Sequence, residues 1–316
     1  MLQGLGFSES TVVEGRESIA DLFRPNKRCG IYVLHFANDE YYVGQAVDIT
    51  RRYVQHRHNH QDICELFFKQ VQQQDLNESE RSAIWAFESA GAILRNITFV
   101  SVPRYESDFD LIMSPTQQES WLSDLAFVDS EGKRPVNPEL RNRYAKRFDR
   151  FQRLRFTREA TDLLHEYVLK GVPAIKRGEI SFWSCSCLPA FRRGIIIYSR
   201  INVNWQEVFT ISEENRELNI SWHLARQPLE QAFGKTLKAL GKQYRLLEWG
   251  NHWYEPGGFD QINLFTRDIQ TASNLMHNST IQSAIRSFNL RLMRKGPCTY
   301  NRYHCLDLAD RVIGPD

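Results

Sequence analysis

The chain has 316 residues, 42% of them hydrophobic and 25% charged, a composition that supports a sizeable core and excludes wholesale disorder. Lysine and arginine total 40 against 38 acidic residues, a net charge of +2, so a polyanion would have to be held by local patches and not by the field of the whole molecule. No stretch reaches the roughly 20 apolar residues of a membrane span, the opening MLQGLGFSESTVVEGRE lacks the regions of a secretory signal, and the six cysteines read as reduced thiols. The expectation is a cytoplasmic protein, with no membrane partner, built from two domains.

In chain order, a short amphipathic segment at Ser18 to Phe23 is broken by Arg24-Pro25-Asn26. Gly30 to Phe36 (GIYVLHF) and Tyr41 to Gly44 (YYVG) flank the turn residues Ala37 to Glu40, which predicts a β-hairpin. Asp48 is positioned to cap a helix from Ile49 to about His60. A second helix is predicted over Asn77 to Leu94, a third strand over Ile97 to Val102 ending at Pro103, and a third helix opening at Ser114-Pro115-Thr116 and carrying Glu119. The polar loop Asp129 to Pro138 then closes a first domain. Arg141 to Arg158 follows, with eight basic residues against the single acid Asp149. Beyond about 160, a helix at Ala160 to Leu169, a strand at Gly194 to Val203, a long helix across Leu229 to Tyr244, the aromatic stretch 249 to 259 and a helix around Ile281 to Arg294 predict a second, mixed domain.

The hairpin text has a particular form. Gly30-Ile31-Tyr32 is followed, ten residues from tyrosine to tyrosine, by Tyr42-Val43-Gly44; ten further on stands Arg52, and four beyond it His56. This pattern resembles the GIY-YIG endonuclease superfamily over about residues 28 to 138, with the span from His56 to the glutamate helix as long as in members that act as restriction enzymes. The resemblance implies a metal-dependent nuclease fold, with Tyr32, Tyr42, Arg52, His56 and Glu119 as catalytic residues and Glu119 as the metal ligand. It also implies structural glycines at Gly30 and Gly44, and an asparagine after the glutamate helix, which Asn137 matches. Tyr42 takes the role of general base or base relay, while Tyr32 orients water or phosphate.

The chemistry asks for these residue types. Phosphodiester hydrolysis needs an activated water and positive charge where the phosphorane becomes negative. A carboxylate can hold one Mg2+ or Mn2+ per site, with water and phosphate completing the shell, and an arginine can fork onto a non-bridging oxygen. Arg52 and His56, four apart, share a helical face. The hairpin adds a condition: both tyrosines reach one face only if the turn is odd-numbered, as with a three-residue loop Asn38-Asp39-Glu40 that pairs residue 36 with 42.

Each of these groups also has a plainer reading. A lone tyrosine in a strand is usually a packing residue, and Glu119 competes with Glu88, Glu106 and Glu131. His56 and His60 have the spacing of helical metal ligands but no cysteine or carboxylate at a matching short spacing, and Cys185 and Cys187 with Cys298, His304 and Cys305 lack the usual C-x2-C spacing. Structural zinc is therefore not expected at either place, and buried thiols are favoured for the cysteines. In the basic run, Arg141, Arg143, Lys146, Arg147, Arg150 and Arg153 alternate with aromatic residues that could bury one side of a helix, leaving the cations for phosphates.

The expectation is an α+β chain: a nuclease domain over 1–138 with a small antiparallel sheet flanked by helices, a basic helical connector over 139–159, and a substrate-recognition or partner domain over 160–316. The expected function is metal-dependent endonuclease action, on DNA first, in a restriction, phage-defence or mobile-element setting. The alternatives are a structure-specific repair or recombination nuclease and a catalytically silent nucleic-acid-binding module. A homo-oligomer is compatible with the sequence.

Overall fold

The computed structural model describes residues 2–96, 99–103, 106–129, 131–189, 191–192, 194–250, 252 and 254–314, and the chain divides into two compact units, 1–105 and 106–316. The chain is α+β. The division falls earlier than the boundary expected near 138, and it assigns the expected basic connector to the second unit. Among the described residues, no helix is long and apolar enough to cross a membrane.

The first unit runs β1 (Thr11–Val12), β2 (Gly30–Phe36), β3 (Glu40–Ala46), α1 (Ile49–Asn59), β4 (Ile63–Gln70), α2 (Leu76–Ser89) and β5 (Ile93–Leu94). Its sheet has the order β1-β4-β2-β3-β5, antiparallel except for the short β3–β5 pairing. The central strand β2 is apolar on both faces because both are covered. Ile31 and Val33 pack with Ala83, Ile84 and Phe87 of α2, while Tyr32, Leu34 and Phe36 pack with Ile49 and Tyr53 of α1. The strand period of two thus sends alternate residues to two helices on opposite faces of the sheet.

Two expectations are corrected here. The third long strand is β4, not Ile97 to Val102: Phe99 to Val102 form no strand, and Ile97 and Thr98 lie outside the described residues. The second helix ends at Ser89, where Gly91 at φ +80° turns the chain into β5.

The second unit opens with α3 (Pro115–Ser123), α4 (Pro138–Phe151) and α5 (Thr157–Gly171) and continues through β6 (Trp183–Cys187), β7 (Phe191–Arg192), β8 (Ile195–Val203), β9 (Gln206–Glu214) and β10 (Glu217–Leu224). It closes with α6 (Arg226–Phe233), α7 (Lys238–Gln243), β11 (Leu247–Gly250), β12 (Ile262–Thr266), α8 (Ile269–Met276), α9 (Ser279–Arg294) and α10 (Leu306–Ile313). Its antiparallel sheet has the order β11-β12-β10-β9-β8-β6, with β7 against β8. The expected long helix across 229 to 244 is two helices, because Gly234 (φ +78°) and Leu237 (φ +52°) adopt left-handed backbone between them.

The second unit is tied together by a buried cation. Arg286 on α9 is fully buried, and all five of its N–H donors reach main-chain carbonyls: Nε to Lys170, Nη1 to Trp121 and Asp124, Nη2 to Leu125 and Phe127, over 2.5 to 3.0 Å. Lys170 and Trp121 lie in the last turns of α5 and α3, where carbonyls lack helical partners and the helix dipole favours a cation. Burial lowers the pKa of Arg286 to about 10, which leaves it charged at neutral pH. A second buried network joins Arg134 to Glu179 (2.7 and 2.8 Å), Glu179 to His304 (2.9 Å), and His304 to the backbone of Cys185 (3.0 Å). Cys185, Cys187, Cys298 and Cys305 are buried free thiols.

Arg286→Met would fill the volume and leave five carbonyls unsatisfied, so urea denaturation should show at least about 3 kcal/mol of lost stability. A loss below roughly 1 kcal/mol would mean that this cation does not hold the second unit together.

Candidate active site

The β2–β3 turn consists of Ala37, Asn38 and Asp39, with Asp39 at φ +63° and its N–H donating to Phe36 O at 3.0 Å. A three-residue loop with its last residue left-handed is an established hairpin solution, and aspartate tolerates that backbone. The odd count required by the sequence is met, one residue earlier than expected: Leu34 pairs with Tyr42 and Tyr32 with Gly44. Both tyrosines therefore share a face, with ring centroids 6.2 Å apart and planes 23° from parallel.

Gly44 makes room for this. A Cβ there would lie 2.4 Å from Tyr32 Oη and 2.9 Å from the Tyr42 ring, and a Cβ on Gly30 would lie 2.1 Å from Lys69 O of β4. Neither strand position can carry a side chain without moving its neighbour.

Helix α1 covers the tyrosine face. Its phase is set by Asp48, which accepts from Thr50 N at 3.0 Å, and by Ile49 and Tyr53 in the core. Arg52 and His56 then project toward the sheet. Tyr32 Oη lies 2.7 Å from His56 Nε2 and accepts from Arg52 Nε at 3.3 Å. Because that oxygen receives the Arg52 proton, its own hydrogen is free to donate to a neutral His56. Burial, with Arg52 and His60 adding to it, lowers the His56 pKa to about 4, so the ring is neutral at pH 7. Burial, reinforced by Tyr42, pushes the Tyr32 phenol well above its ordinary value, against the opposing pull of Arg52. The Tyr32 hydroxyl, with Tyr42 beside it, strengthens the charge on Arg52. No carboxylate of the described residues forms an ion pair with that guanidinium, which also donates to Gln55 (2.9 Å) and interacts with the Tyr42 hydroxyl.

Tyr42 is half-buried, and its ring sits 4.6 Å from that of His56. A cavity of about 530 Å³ opens beside it, lined by Tyr32, Tyr42, Gln45, Arg52, His60, Glu80, Arg95, Asn96 and Phe99. This cavity spans the edge of β3, past the short β5. Asn96 closes part of that edge by bonding both backbone groups of Val43 (2.9 and 2.6 Å). Side chains of α1 enter from one face of the sheet and Glu80 of α2 from the other.

Glu80 is the carboxylate of the cavity. It is 8% exposed and accepts from Gln45 Nε2 at 3.0 Å. Burial raises its pKa, opposed by Gln45 and more weakly by Arg52. A buried acid with so little compensating charge fits a single hard cation that takes its remaining ligands from water and phosphate. Arg95 also reaches the cavity, but it is occupied in clasping the hairpin loop: it donates to Glu40 (2.6 Å), to Asp62 (2.6 and 3.1 Å) and to Asn38 (3.1 Å), and lies over the Phe36 ring.

Four expected site residues, Tyr32, Tyr42, Arg52 and His56, are thus brought together, and two others belong elsewhere. Glu119 is exposed on α3 of the second unit. Asn137 caps α4 there, accepting from Leu140 N at 2.9 Å. The cause lies in β4: once Ile63–Gln70 is counted as the third long strand, the helix that follows it is α2, which carries Glu80, and the asparagine at the site is Asn96. The signal was present as Ile63, Cys64, Leu66, Phe67 and Phe68, a run rich in strand formers. Of the expected nucleic-acid contacts, Arg143, Lys146, Arg150 and Arg153 are exposed. Arg141 is bound to Asp307 and Asp310, and the half-buried Arg147 packs over Tyr144 and donates to Leu188 O at 3.5 Å.

An unfolded histidine titrates near 6.5, so between that value and about 4 the unfolded chain binds protons that buried His56 refuses. Its contribution to stability is complete above about pH 6.5 and is lost as the pH falls through this window. Relative to His56→Gln, the wild type should lose up to roughly 3 kcal/mol between pH 7 and pH 4, measurable by urea denaturation at a series of pH values. A pH-independent difference between the two would show that His56 is not buried in its neutral form.

Comparison with family models, with curated proteins and with solved structures finds no match to the chain; the resemblance to GIY-YIG nucleases rests on the residues themselves.

Proposed function

We propose that the first unit is a metal-dependent endonuclease that hydrolyses phosphodiester bonds in nucleic acid, DNA foremost. One observation carries this reading: two tyrosines, an arginine with no ion pair among the described residues and one buried carboxylate line a single cavity, and neutral His56 is hydrogen-bonded to the inner tyrosine behind it. These are the groups that phosphoryl hydrolysis requires, and a packing-only account of them leaves buried Glu80 with only the weak pull of Arg52 and Arg81 against its desolvation and no ion pair among the described residues.

Roles follow from position. Arg52 faces the cavity with its charge uncommitted and binds a non-bridging phosphate oxygen. Tyr42 is the phenol at the open side, placed to meet a water, with Arg52 beside it to stabilise the phenolate that removes the water's proton. Tyr32 lies behind and positions Arg52 and His56 through one hydroxyl. Glu80 replaces Glu119 as the proposed ligand for Mg2+ or Mn2+; when bound, the cation supplies Lewis acidity and positive charge against the pentacoordinate phosphorus. Gln45, bonded to both Glu80 and Asn77, fixes the carboxylate's orientation.

The test is nicking of supercoiled plasmid in Mg2+ or Mn2+ against EDTA. Glu80→Gln, Tyr42→Phe and Arg52→Ala should each lower the rate by at least about 100-fold, while Glu119→Gln should cleave like the wild type. Cleavage that persists in EDTA, or in Glu80→Gln at the wild-type rate, would remove the proposed role of this cavity. Discrete fragments from linear duplex would indicate sequence-specific cutting, and cuts confined to junctions or flaps a structure-specific enzyme.

A further inference from the structure

Helix α4 carries a charge pattern that the nuclease cavity does not use. Leu140, Tyr144 and Phe151 are buried on one side, with Phe148 packed against the same core. At 3.6 residues per turn, Arg143, Lys146 and Arg150 fall within about 60° of one another, and Arg153 prolongs the row just past the helix end. All four are exposed, and none forms an ion pair among the described residues. The Tyr144 hydroxyl donates to the main-chain carbonyl of Arg302 at 2.8 Å, which holds the backbone of this further exposed arginine against the helix.

The contrast within one helix is informative. Arg141, two residues before the row begins, is matched by two aspartates of α10. The chain therefore supplies acids where an arginine serves the fold and withholds them along this row, although like charges three and four residues apart repel. The only other acid near the middle of the helix, Asp149, sits at the flank of the row and pairs with none of these cations among the described residues.

We infer that the row Arg143, Lys146, Arg150 and Arg153 is a docking strip for the phosphate backbone of duplex nucleic acid. This deepens the nuclease reading and rests on it for the identity of the polyanion. The row is about 15 Å long at 1.5 Å per residue, which spans about four phosphate-to-phosphate steps at 3.4 Å of axial rise along one strand. The strip binds charge without reading bases, so it holds duplexes of any sequence.

The experiment is fluorescence anisotropy of a labelled 20-base-pair DNA duplex in EDTA, with the full chain, over 50 to 200 mM salt. EDTA separates the two readings, because binding is measured where no metal-dependent cleavage occurs. The variant R143A/K146A/R150A/R153A should show a slope of log affinity against log salt shallower by about 3 to 4, so that the wild type loses about 100-fold more affinity than the variant over that range. R143K/R150K/R153K, which keeps the charges, should keep the wild-type slope. Arg141→Ala should leave the slope unchanged while lowering the unfolding midpoint. An unchanged slope in the quadruple variant overturns the strip and leaves the nuclease proposal standing. Loss of binding to polyglutamate, with duplex binding retained, also overturns it and assigns the row to an acidic protein. A duplex RNA arm reports whether the strip separates the two backbones. A wild type that binds with the predicted slope yet never nicks plasmid would sink the nuclease reading alone.

Discussion

The Tyr32 hydroxyl is the point at which the central strand of the first unit meets helix α1. One oxygen accepts from Arg52 and lies against His56 Nε2, so the position of both side chains depends on a ring that has no freedom of its own. That ring lies across Gly44, and its face of the sheet is decided by a three-residue loop. Change the parity of the loop and Tyr42 turns away; place a methyl group on residue 44 and Tyr32 moves. The phase of α1 is constrained equally, since Asp48 caps it and Ile49 and Tyr53 lock it onto the same face. Backbone sterics, a capping hydrogen bond and apolar packing therefore agree on one arrangement of polar groups, which is how a site can remain polar inside a core.

Burial does two different things to the acids and bases around this point. It keeps His56 neutral and Tyr32 protonated, both of which suit a hydrogen-bonded pair that carries no charge. It also raises the pKa of Glu80, whose Gln45 partner offers a dipole and not a charge. Arg95 shows the opposite solution a few residues away: its two carboxylate partners, Glu40 and Asp62, are held below their ordinary pKa by the guanidinium. Charge is ion-paired where it fastens the hairpin and left without an ion pair among the described residues where a ligand is proposed to enter.

Much of the first unit was legible in its residues. The hairpin, the Asp48 cap and the Arg52–His56 spacing follow from short-range chemistry that a sequence displays directly, while the odd loop followed only from the requirement that two tyrosines share one face, and it falls one residue before Asn38-Asp39-Glu40. What was missed was long-range. Glu80 reaches the cavity around the edge of β3, from a helix on the other face of the sheet, and no local pattern marks which of several glutamates does so. Reading Ile97 to Val102 as the third strand, in place of β4, moved the carboxylate by a whole helix. In the second unit, the hairpin joining β9 and β10 turns on Asn215-Arg216, both with positive φ. An arginine in that position lacks the glycine signal by which such turns are recognised, and two strands went unread.

Arg286 has a consequence for the modularity of the chain. Its guanidinium closes on carbonyls from residues 121 to 127, although more than 150 residues of sequence lie between them and α9. The segment from 106 to 137, which the sequence assigns to the first domain, is thus an integral brace of the second unit. A shuffling event that exchanged the N-terminal part at 138 would strip the receiving body of that brace and leave a charged side chain in an apolar interior. Exchange at 105/106, the boundary between the compact units, would keep that brace with the body it supports.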